Sequence, residues 1–214
     1  MPFEQVNSKV VRARVGPASP VLARRGAMLG YSGQVTFRPV HGQGRGIGGM
    51  VGAAMSGESN PMMATEGQGE VLYGYKGLHV TVLELDGGAP LVCEADRLLV
   101  HDAALQTSVQ FLGSGGIKQA IGGAMTGQGL FTTNVHGRGS VALLSHGGAF
   151  PLQLSGTQVG VDPQAYVGHV GQLTVDLAAK VGLRDVVGRG SGEAFQLRIS
   201  GYGTVYVQAS EQKF

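Results

Sequence analysis

Three copies of one signature, Gly-x-Gly-x-Val, set the terms on which this chain can fold. They are Gly67, Gly69 and Val71; Gly137, Gly139 and Val141; and Gly201, Gly203 and Val205, spaced 70 and then 64 residues apart. A longer segment repeats with them. Val10 to Leu29 (VVRARVGPASPVLARRGAML) matches Val80 to Leu99 (VTVLELDGGAPLVCEADRLL) at a shift of 70, with Val15 on Leu85, Pro20 on Pro90, Val21 on Leu91 and Leu29 on Leu99. Phe150 to Val167 is a looser third copy, where Leu152 and Leu154 fall on Leu83 and Leu85. Blocks at Gly33 to Val40, Thr107 to Gly113 and Gly171 to Ala179 hold like positions. This predicts one domain over residues 1–214 made of repeats 10–79, 80–148 and 149–214. Repeats this long each hold more than one supersecondary element. Equivalent interfaces between them predict a body arranged about a pseudo-threefold axis.

Period-two alternation gives the element type. Leu173, Val175 and Leu177 alternate with Thr174 and Asp176; Phe195, Leu197 and Ile199 with Gln196, Arg198 and Ser200; Phe131, Thr133 and Val135 with Thr132 and Asn134; Val35 and Phe37 with Thr36 and Arg38. These read as strands with one face in a core and one toward solvent. Asp86-Gly87-Gly88 and Ser155-Gly156 read as hairpin turns. Glycine supplies 38 of 214 residues, against a usual share of about 7 per cent, and punctuates turns between strands. Helix is confined to three short candidates: Gly46 to Met55, Gly116 to Met125 and Leu177 to Val187. Each glycine inside a helix costs about 1 kcal/mol. The fold class is therefore all-β: three antiparallel modules, sandwich- or barrel-like, with only short helical turns.

Charge is sparse, at 14 per cent of residues with a net +2, and advertises neither nucleic acid nor an anionic membrane. Lys9, Arg12, Arg14, Arg24 and Arg25 nonetheless cluster near the start, opposed there only by Glu4. They read as a contact strip for an anionic partner or as the protective charges of an edge strand. Cys93, the sole cysteine, lies in an apolar run. It fits a reducing compartment and an inert, buried thiol. The opening MPFEQVNSK lacks a signal-peptide pattern, and no run approaches the roughly 18 apolar residues of a membrane span. A cytoplasmic location is expected.

Chemistry-bearing motifs are few. Gly44 to Gly49 satisfies G-x-G-x-x-G, but without helical crossovers the phosphate-binding fingerprint has no doubly wound sheet to serve. His41, His79, His101, His136, His146 and His169 show no metal-ligand spacing. His101 and His169 hold equivalent repeat positions, with Tyr31 in the first copy; converging near an axis, they could hold an ion. Glu94 and Asp162 are also equivalent, and Asp162-Pro163 has turn chemistry. Ser145-His146 lacks an orienting acid. Tyr73, Tyr75, Tyr202 and Tyr206 could stack bases, though few lysines accompany them. Met50, Met55, Met62 and Met63 would form an adaptable apolar surface for a membrane. No catalytic, cofactor-binding or metal residues are assigned.

Gly26 to Pro39 (GAMLGYSGQVTFRP), Gly127 to Phe131 with Gly137 to Ala142, and Val161-Asp162-Pro163 resemble segments of the altered-inheritance-of-mitochondria (AIM) twenty-four-like family. The similarity runs from about Val6 to Glu211. It implies a fold similar to the trp RNA-binding attenuation protein and brings no agreed biochemical activity. The expected function is a non-enzymatic scaffold or interaction protein that self-associates. The alternatives are a ligand- or RNA-binding module and a peripheral membrane-associated organiser.

Overall fold

The structure, a computed structural model, describes residues 3–40, 62–111, 131–179 and 195–212. The glycine-rich motif at Gly44 to Gly49 and the helix candidates Gly46 to Met55 and Gly116 to Met125 lie outside them. So does the third candidate beyond Ala179.

The described chain is strand almost throughout. The first strands are β1 (Phe3–Asn7), β2 (Val10–Val15), β3 (Val21–Arg24), β4 (Met28–Val40) and β5 (Met62–Tyr73). Then come β6 (His79–Asp86), β7 (Leu91–Glu94), a 3-10 turn (Ala95–Arg97), β8 (Leu98–Asp102) and β9 (Gln106–Phe111). The last are β10 (Phe131–His136), β11 (Arg138–Ser145), β12 (Ala149–Val161), β13 (Tyr166–Ala179) and β14 (Phe195–Gln208). All pairings among the described strands are antiparallel. One sheet runs β1-β2-β5-β3-β8-β11-β6 with β4 on β5; the other runs β12-β14-β13-β7-β10-β9. The all-β expectation holds.

The turns expected as hairpins are something else. β6 and β7 do not pair with each other. They run in file along β11 and β10, with Asp86 opposite Arg138 and Leu91 opposite Val135. Asp86 to Gly88 is thus a bulge loop inside one bent strand, closed by the Gly88 amide donating to Asp86 Oδ1 at 2.8 Å. Ser155-Gly156 is likewise a bulge within β12, where the register on β14 shifts between Ser155 and Gln158. Glycine after a polar residue signals a left-handed backbone, which a bulge uses as readily as a hairpin. β2 and β3 follow β5 in the same broken way, Val15 on Gly69 and Val21 on Thr65.

Opposite each bulge sits the first signature glycine. Gly67, Gly137 and Gly201 have φ of 112°, 115° and 121°, a region that side chains disfavour. Three apolar clusters fill the interior. The first gathers Phe3, Val11, Val21, Val71, Tyr73, Leu99 and Leu144 among others. The second is built on Leu91, Cys93, Val135 and Leu143, the third on Leu154, Tyr166, Leu197 and Ile199. The alternation read from sequence is kept in β13, where Leu173 and Val175 are half-buried and Thr174 and Asp176 exposed. It fails in β10: Thr132 and Asn134 are buried as well as Thr133 and Val135. β10 lies between β7 and β9, and both of its faces are covered.

Candidate functional site

Buried polar side chains collect where one run of strands hands over to the next. Two such junctions lie among the described strands: β3 on β8, and β7 on β13. At the first, His101 is buried opposite Leu22, with Nδ1 2.8 Å from the Asp102 carbonyl oxygen. Burial lowers the His101 pKa against this backbone hydrogen bond. Asp102 Oδ2 accepts the Ser140 amide proton at 2.7 Å. Burial raises the Asp102 pKa, the Ser140 amide opposes it, and the Glu84 charge adds to the rise. The Ser140 hydroxyl donates to Glu84, 2.7 Å from Oε1. At the second junction His169 faces Val92, and its Nδ1 lies 2.7 Å from the buried Tyr166 hydroxyl. Burial pushes the His169 pKa down to about 4. The two histidines thus belong to separate junctions in different sheets, each held by its own neighbours. Among the described residues no group of three or more His, Cys, Asp or Glu side chains could hold a metal ion.

A third buried polar group centres on Arg97, whose side chain is fully enclosed. Its Nε donates to Glu94 Oε2 at 2.9 Å and its Nη1 to Gln208 Oε1 at 2.7 Å. Gln208 also accepts the His146 amide proton at 2.9 Å and donates Nε2 to the carbonyls of Gln164, Ser210 and Gln212. His146 has its pKa lowered by burial and by the Arg97 charge. Glu94, the repeat-equivalent of Asp162, therefore takes a different role. Asp162 caps a turn as expected, Oδ1 accepting from the Gln164 amide at 2.7 Å.

These arrangements tie neighbouring strands together. Ser140 is buried with its hydroxyl on a carboxylate. The Cys93 thiol is enclosed, its pKa pushed up to about 12 first by burial and then by Glu94. A thiol held protonated and out of contact is inert. The depression beside Asp162, Ala165 and Gln208 is open rather than enclosed.

The surface tells more. The N-terminal basic strip is largely neutralised. Arg12 pairs with Glu4 at 3.2 Å, Arg14 with Glu70 at 3.4 Å, and buried Arg24 donates to the Asp96 carbonyl at 2.7 Å while lying over the Tyr75 ring. Its strand β2 is not an edge, since β1 covers one side and β5 the other. The tyrosines considered as a stacking face are dispersed in environment. Tyr73 is buried with its hydroxyl on Thr65 Oγ1 at 2.8 Å, Tyr75 lies under Arg24, Tyr206 is half-buried, and Tyr202 is exposed. Of the methionine-rich stretch, Met62 and Met63 lie in β5, paired with β3 and β4.

The start of β4 stands apart. Met28, Leu29 and Tyr31 are 37, 58 and 55 per cent exposed. The Tyr31 ring sits edge-on to Phe37 at 5.3 Å. β4 pairs with β5 alone among the described strands, so its other edge is open. Sequence reading singled out Tyr31 only as the counterpart of two histidines. The available signal was that Leu29 aligns with Leu99, a core residue, yet lies on the first copy's outer strand.

No curated protein matches the chain at a significant level. A crystal structure of a Streptococcus pyogenes protein superposes with a TM-score of 0.73 at 21 per cent identity, covering 97 per cent of this chain and 92 per cent of that one. That likeness is one of fold. No helix of the described residues is long and apolar enough to cross a membrane. The family model described as mitochondrial biogenesis AIM24 matches residues 3–210, and the chain belongs to that family.

Proposed function

We propose that this protein is a non-enzymatic scaffold that works by self-association, built from three related units over residues 10–79, 80–148 and 149–214 and acting in the cytoplasm. The observation that carries the reading is the apolar patch of Met28, Leu29 and Tyr31 along an unpaired strand edge. An open edge with apolar side chains is a template for another chain. The recurring bulges opposite Gly67, Gly137 and Gly201 support the threefold reading. The enclosed polar groups support a structural rather than catalytic use of Arg97, Ser140 and the two junction histidines.

Sedimentation equilibrium or light scattering across a hundredfold range of concentration tests the proposal. A defined oligomer that persists on dilution is expected. A monomer at every concentration would remove the self-association reading.

A further inference from the structure

The two internal junctions use one register. Signature valines Val71, Val141 and Val205 pair with Tyr31, His101 and His169. The next pairs are Leu72 with Gly30, Ala142 with Val100 and Tyr206 with Gly168, and each is followed by a register shift. On the opposite flank, Thr65, Val135 and Ile199 pair with Val21, Leu91 and Val159. Within the chain, Val21, Leu22 and Ala23 then meet Asp102, His101 and Val100. Leu91, Val92 and Cys93 meet Val170, His169 and Gly168 in the same order. Each junction joins the second half of a bulged strand to the first half of the strand that follows a tight turn.

One strand of each kind is left over. Among the described strands β12 pairs only with β14 and β4 only with β5. The residues on β4 are large and apolar where their counterparts are enclosed. Leu29 is 58 per cent exposed, while Leu99 and Val167 are at 0 per cent. Tyr31 is 55 per cent exposed, while His101 and His169 are at 1 and 5 per cent.

We propose that a second copy of this chain fills the gap, β12 of one copy pairing antiparallel with β4 of the next. The register is Val159 on Ser32, Gly160 on Tyr31 and Val161 on Gly30. This names the surface for the scaffold reading above and rests on it. The contact continues an interface the chain already makes twice, and it sets a large ring over a glycine whose side-chain space is taken by the movable Gln196 amide. Each copy offers one edge of each kind, so the contact is heterologous and copies add head to tail until a ring closes. A copy bound this way also satisfies the outward backbone groups of both edges.

Cysteine pairing tests the register. Directly opposed residues have Cα atoms about 4.5–5.5 Å apart, inside disulfide range. The three atoms nearest a Cβ at Gly160 all belong to the Gln196 side-chain amide, the flexible end of a side chain. Tyr31→Cys and Gly160→Cys proteins, mixed and oxidised, are expected to form a linked dimer that neither gives alone. Gln34→Cys with Gly160→Cys, three residues out of register, is expected to stay unlinked. Leu29→Lys with Tyr31→Glu, both at exposed positions, should release monomers with an unchanged circular dichroism spectrum. An oligomer that survives this double change and yields no link between positions 31 and 160 would overturn the pairing while leaving self-association standing. A wild-type monomer at all concentrations would overturn both.

Discussion

At neutral pH the His169 ring carries no charge, because burial holds its pKa near 4. Unfolding returns it to the ordinary value of about 6.5. Between those limits the unfolded chain takes up a proton that the native one refuses. Stability is therefore flat above pH 6.5 and falls as pH drops toward 4, by about 3 kcal/mol from this group. His101, shifted the same way by burial, adds to the slope. Asp102 opposes it in the carboxylate range, since a raised native pKa makes the folded state the better proton binder there. Urea unfolding at a series of pH values from 7.5 to 4 should show the loss, and His169→Gln should flatten it. Sequence alone placed His101 and His169 in matched positions, and the structure puts both at strand junctions. Arg97 was not legible. In the run Glu94-Ala95-Asp96-Arg97 it reads as a solvated charge, and its enclosure depends on Gln208, 111 positions along the chain.

Long two-stranded ribbons bend where glycines face one another. Gly33 pairs with Gly69 and Gly171 with Gly203, back to back. Gly171 has φ of 128°, and a Cβ there would lie 2.5 Å from the Tyr202 carbonyl oxygen and 2.6 Å from the Gly203 Cα. Those neighbours are backbone and cannot turn aside. Gly171→Ala should destabilise the fold by about 2–3 kcal/mol, read as a lower urea midpoint with an unchanged slope. The middle of the chain proves the rule by its exception. Ala103 stands where Gly33 and Gly171 stand, and there the ribbon parts into β8 and β9, with the Leu105 amide donating to the Asp102 carbonyl at 3.1 Å. Alternation and repeat spacing made the strands readable. The connectivity was not: Asp86-Gly87-Gly88 has hairpin chemistry, and only the tertiary partner strand decides that the chain continues in line. β10 misled for a related reason, since alternation of Thr132 and Asn134 with apolar neighbours says nothing about a second layer covering the polar face.

Across the whole molecule the chain grows by adding runs of strand to an edge already prepared. Leu91 to Cys93 of β7 are paired by Gly168 to Val170 of β13. Removing residues 149–214 would strip that partner and bare an edge of buried apolar residues. A chain ending at Gly148 should aggregate on purification more than the chain of residues 1–214, and centrifugation followed by gel analysis checks it. The exposed patch on β4 belongs to this scale too. Leu29 aligns with the buried Leu99; what differs is that Leu29 lies on β4, whose second edge no described strand covers. Gln208 has a last consequence, in time rather than space. A ribosome must add 111 further residues after Arg97 before its guanidinium meets that amide partner. The nascent middle portion therefore waits with a cation incompletely sheltered until β14 has been made.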